Sequence, residues 1–243
     1  MIIQLNDKYF GINYINLKRN ENIIEDKLLL RIDNVFRQDI LDQIENNGRL
    51  KIYTENRNNH SFCLYETKFI TDYIYLLEEH NNEEEIILNV VMLNNKSALS
   101  DSYNQHIVDI FYKWEQGIET DWFSINNLEI KRSYLDACYL WSCQSFELKN
   151  INEINIKGEF IRYKEDLYYY FGEYLIGTRG YFGSNLDSFE DFLIDIVKNN
   201  KINIKIVFTN SDTIIKNTNK FFFQEVVSLL EKAKFKVEII SSE

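Results

Sequence analysis

The sequence predicts two architectures in one chain of 243 residues: a mixed α+β region over residues 1–150, followed by an α/β region over 151–243 built on a small parallel sheet. Three observations predict this. Short runs of period-two apolar alternation crowd the first half. In the second half, strand-like runs alternate with segments of helical periodicity, the pattern of right-handed strand–helix–strand units. Between them, ELKNINE (147–153) is polar and is the best place to divide the chain.

Taken in order, FGINYI (10–15) alternates with Phe10, Ile12 and Tyr14 on one face, as a strand does. RQDILDQIENNG reads as a short helix closed near Gly48. Strands follow at 49–53, 61–70, 72–78 and 85–93, with the Glu83–Glu85 run as a solvated turn. Ile107, Ile110, Phe111 and Trp114 stand at i, i+3, i+4 and i+7, and Gly117 ends that helix. In SYLDACYLWSC, Ser133 and Asp136 form a capping-box pattern ahead of a Tyr134, Ala137, Cys138, Trp141 stripe. INIKGEFI is a strand broken at Gly158, and KEDLYYYFGEYLIG is a helix with Leu167, Tyr170, Phe171 and Leu175 inward. A glycine-rich loop and a second helix lead to the strand KINIKIVF. The helix FFFQEVVSLLEKAK and the strand FKVEII complete the chain.

Composition narrows the function classes. The formal net charge is −11, with 15 basic and 24 acidic residues up to position 150 and 12 and 14 beyond it. Nucleic acid is a poor partner for such a chain, because phosphate contacts need a basic face. A positively charged protein is a better one. The three cysteines (Cys63, Cys138, Cys143) lack disulfide-framework spacing and suit a reducing compartment, so a cytoplasmic location is expected. MIIQLNDKYF lacks the features of a secretion signal, and no apolar run is long enough to span a bilayer.

One stretch departs from the rest. Only eight glycines occur in the chain, yet Gly172, Gly177, Gly180 and Gly183 cluster just ahead of a helix bearing Asp187, Glu190, Asp191 and Asp195. On a helical wheel these acids face one way, while Leu186, Phe189, Phe192, Leu193, Ile196 and Val197 face the other. Like charges at i, i+4 and i+8 repel, and only Asp187 lies near the favourable end of the macrodipole. The stripe therefore costs some stability. It can be a solvated surface, or, beside a loop carrying Tyr181, a contact face for a basic cleft.

YFGSNLDSFEDFL (181–193) resembles the signature of the barstar family, small inhibitors of barnase-type ribonucleases. That signature is an aromatic pair, Gly, any residue, Asn-Leu-Asp, and an aspartate four residues beyond the first. INIKGEFIR, Asp166-Leu167 and VVSLLEKAKFKVEII resemble the family's first strand, first helix, and last helix and strand, so the similarity spans about residues 153–243. The resemblance implies a barstar-like sheet with helices and an inhibitor without chemistry of its own. It needs no cofactor, and its partner is a ribonuclease toxin with a basic active-site cleft. It also implies a contact surface of Tyr181, Phe182, Gly183, Asn185, Asp187, Glu190, Asp191 and Asp195, with Asp191 standing where a substrate phosphate belongs. A carboxylate is gripped by Arg as a phosphate is. Two positions depart from the pattern: Glu190 replaces a tryptophan, and Lys232, beside Glu231, stands where the last helix has a contacting glutamate.

Other sites are weaker. An acidic quartet on one helix does not surround a cation, as Mg²⁺ or Ca²⁺ requires, so no metal site is expected. His106 and Asp109 share a helix face without a metal-ligand or nucleophile–base pattern. Cys138 and Cys143 read as buried thiols. For residues 1–150, an adaptor or platform and an enzyme whose active site assembles only in the fold both stay open.

Overall fold

Period-two alternation becomes sheet throughout the first unit. The computed structural model describes residues 1–18, 26–33, 36–44, 47–80, 83–97, 99, 104–142 and 147–241. They form two compact units, Met1–Glu119 and Thr120–Glu243. In the first, strands β1 (Ile2–Leu5), β2 (Lys8–Gly11), β3 (Tyr14–Lys18), β4 (Asp26–Asp33), β5 (Asn47–Glu55), β6 (Ser61–His80) and β7 (Glu83–Ser97) make an antiparallel sheet in the order β2-β1-β5-β6-β7-β4-β3. Ile3, Leu5, Leu50 and Ile52 are fully buried, as one face of an alternating sheet should be. Helix α1 (Arg37–Ile44) buries Ile40 and Ile44. Helix α2 (Gln105–Glu115) is capped by Asn104 and buries the expected Ile107, Ile110, Phe111 and Trp114.

Three readings of this half are corrected. The strands expected at 61–70 and 72–78 are one strand, β6. Its register against β7 shifts between Thr71 and Tyr73, and such an irregularity breaks the alternation in sequence. Glu83–Glu85 belongs to β7, where it pairs with Asp33–Arg31 of β4, and is not a turn. FGINYI divides between β2 and β3.

The second unit is a parallel sheet, β10-β9-β8, with helices around it. Its elements are helix α3 (Leu128–Ser142), strand β8 (Glu153–Lys157), helix α4 (Lys164–Phe171) and helix α5 (Leu186–Asn199). Strand β9 (Lys205–Thr209), helix α6 (Ser211–Thr218), helix α7 (Lys220–Lys232) and strand β10 (Lys236–Ile239) complete it. Helix α4 is extended by one π-type turn over Gly172–Ile176. Leu167, Tyr170, Phe171 and Leu175 point inward as predicted, as do Phe222, Val226, Leu229, Leu230 and Ala233 of α7. Helix α3 begins before Ser133, and Asn127 accepts the N–H groups of Glu129 and Ile130 at 2.8 and 3.2 Å; the Ser133–Asp136 pair is mid-helix and caps nothing. Cys138 is buried, and Cys143 lies outside the described residues.

The units divide at Glu119/Thr120, upstream of the polar stretch 147–153, because residues 120–142 pack into the second unit. Asp166, at the start of α4, is fully buried and accepts four donors. They are the Trp122 indole N–H (2.8 Å), the Lys131 ammonium, and the backbone N–H groups of Arg162 (2.7 Å) and Tyr163 (2.8 Å). Lys131 is 1% exposed and lies 4.4 Å from the Trp122 ring centre. Trp122 stacks flat on Tyr169 at 4.5 Å. Breaking such a buried pair strands the surviving charge, at a cost of about 3–5 kcal/mol. Asp166→Ala is therefore expected to lower stability by about that amount in urea denaturation. A fragment of residues 151–243, which lacks Trp122 and Lys131, should unfold at lower urea than residues 120–243.

Candidate partner-binding face

The loop before α5 is built by close backbone packing. Gly172 and Gly180 face each other so tightly that a Cβ on Gly172 would lie 2.2 Å from the Gly180 carbonyl oxygen. Gly183 has φ +93°, and a Cβ there would meet the Phe189 backbone nitrogen at 2.7 Å. The loop thus turns back onto α4 and α5 and buries its own aromatic pair. Phe182 is fully buried among Phe171, Phe189 and Phe192. Tyr181 is 6% exposed, with its ring between Tyr139 of α3 (5.0 Å) and Phe192 of α5 (5.1 Å). Burial pushes the Tyr181 hydroxyl pKa up, and that hydroxyl donates to Ser184 Oγ at 3.3 Å.

Helix α5 starts at a reciprocal cap. Asn185 accepts from Ser188 N–H, and Ser188 Oγ accepts from Ser184 and Asn185 N–H, all within 2.9–3.1 Å. The cap fixes where the acidic stripe begins. Asp187, Glu190 and Asp191 are exposed, and no ion pair holds them among the described residues. Asp195 is half-buried and pairs with Lys198 at 3.1 Å, so its charge is compensated. The underside of α5 buries Phe189, Phe192, Leu193 and Ile196. Behind the stripe, α5 and α7 enclose a groove of about 260 Å³ floored by Leu193, Val197, Leu229 and Ala233, with Glu190 and Lys232 among its lining.

The structure thus sorts the sequence-predicted residues into different roles. Asp187, Glu190 and Asp191 are brought together on an open face. Asn185 is exposed and caps the helix. Tyr181, Phe182 and Gly183 lie beneath the surface and shape the loop, so the glycines serve internal contact and not the approach of a partner.

With this geometry in place, similarity to known proteins becomes informative. Residues 151–239 match the family model of Barstar (barnase inhibitor). This part of the chain is a barstar domain. No curated protein matches the whole chain significantly. Barstar proteins are non-enzymatic inhibitors that bind ribonucleases, and residues 1–150 lie outside the match. Among the described residues, no three His, Cys, Asp or Glu side chains are grouped to hold a metal ion. Nor is any helix there long and apolar enough to cross a membrane.

Sequence reasoning missed one carboxylate beside the barstar loop. Asp136 on α3 is mostly buried, and desolvation raises its pKa. It acts electrostatically on Tyr181 and makes no described ion pair. A carboxyl whose folded pKa is raised lowers stability once ionised. The penalty is absent below the ordinary aspartate pKa and complete above the raised folded value. Asp136→Asn should therefore stabilise the protein at pH 7, and the gain should vanish as the pH falls through that window, as read by thermal unfolding. Gly183→Ala is expected to destabilise by roughly 1–3 kcal/mol, since an L-residue is strained at this φ and its Cβ has no room.

Proposed function

We propose that the barstar domain is an immunity protein that blocks the active site of a ribonuclease toxin in the cytoplasm of the cell producing it. Three exposed carboxylates with no ion-pair partner, on a helix whose start is fixed by its cap, carry this reading. A cleft built to grip RNA phosphates presents Arg and other cations, and Asp187 and Asp191 supply planar anions for them. Helix α5 is rigid underneath, so the anions are positioned before the partner arrives, and little ordering entropy remains to oppose binding. The domain's contribution is occlusion: RNA cannot enter a cleft already filled by α5. The opposed fields accelerate encounter, and this steering weakens as salt shortens the screening length.

The groove beside Glu190 and Lys232 favours a second reading, in which the same fold holds a different protein partner by an apolar side chain. RNA cleavage by barnase and other basic ribonucleases, assayed with and without the chain, separates the two. The wild-type chain is expected to inhibit. An Asp187→Ala, Asp191→Ala double variant should lose roughly 100-fold or more in affinity, the equivalent of about 3 kcal/mol. Equal inhibition by the double variant would refute the proposed surface, and no inhibition by the wild type would favour the adaptor.

A further inference from the structure

Helix α3 stands outside the barstar match yet packs against the loop that the match identifies. Tyr181 links the two: its ring touches Tyr139 of α3 on one side and Phe192 of α5 on the other, and Phe192 directly follows Asp191. The outer ring of this stack is Tyr139, which is half-buried where Tyr181 is 6% exposed. Asp136 lies one turn before Tyr139 on the same side of α3, since i and i+3 are neighbours on a helix. Together they extend the face of α5 with one aromatic ring and one carboxylate lacking a described cation.

We propose that α3 is a second part of the partner-binding face, with Tyr139 as its surface aromatic contact and Asp136 as a further anion for the cationic rim of the nuclease. The proposal rests on the inhibitor reading above and adds to it a contact element supplied by residues outside the barstar match. Tyr139 takes the outward position because Tyr181 is covered. An aromatic ring of this kind gives a partner a large rigid contact at small entropic cost, which is why tyrosine is enriched at interface hot spots. Asp136, held half-desolvated without a partner, gains most when a cation reaches it.

Two measurements on the full chain decide the matter. In the free protein, nitration by tetranitromethane with peptide mapping should modify Tyr139 ahead of Tyr181; modification of Tyr181 as fast as Tyr139 overturns the assignment whatever the partner. With barnase as probe, Tyr139→Ala is expected to weaken inhibition roughly tenfold or more through faster dissociation. Tyr139→Phe should retain most of the affinity, and Asp136→Asn should weaken inhibition while raising the unfolding temperature. Wild-type inhibition with an unaltered Tyr139→Ala variant overturns the α3 surface and leaves the inhibitor reading intact. A wild-type chain without effect on barnase counts against the inhibitor reading itself, while the nitration result still decides which ring is outward.

Discussion

The second unit is organised around one buried carboxylate. Asp166 neutralises Lys131, takes the Trp122 indole N–H, and closes the turn of Arg162 and Tyr163 at the head of α4. Each donor comes from a different stretch of chain, and each would be an unsatisfied buried group without it. Fixing α4 in this way also fixes its π-type continuation, and the Gly172–Gly180 contact then places the loop. The direction of the acidic helix is therefore set from within the core, several residues before the first exposed acid.

This arrangement separates positioning from contact. Aromatic packing of Phe171, Phe182, Phe189 and Phe192 supplies rigidity, while the charges outside contribute little to the stability of the free domain and in the case of Asp136 oppose it. Groups that cost the free protein stability and make no internal use of their charge are what a binding surface looks like before its partner is present. Asp195 is the useful contrast: a lysine one turn on satisfies it, and it behaves as an ordinary surface residue.

Much of this was legible in the sequence because it rests on periodicity. The helical stripes of α2, α4, α5 and α7 and the parallel sheet all follow from which residues recur at which spacing, and the acidic face of α5 is simply the complement of its buried one. What stayed hidden depends on contacts between distant residues. Nothing in FGSNLD says that Tyr181 is covered, because its cover, Tyr139, lies far upstream. The polar stretch 147–153 resembles a boundary, yet the contacts of Trp122 and Lys131 with Asp166 tie the preceding helix to the following one. The irregularity near Thr71 disguised one long strand as two for the same reason: alternation reports local phase and not pairing.

The π-type turn at Gly172–Ile176 has a consequence for how such a loop could change over time. A turn wound this way holds one residue more than a regular one, and each residue advances a helix by about 100°. Losing a single codon there would rewind the segment and rotate whatever follows it by more than a quarter circle. Insertions and deletions at that turn could thus re-aim the anionic helix in one step, a coarser route to a new target than altering its side chains one at a time.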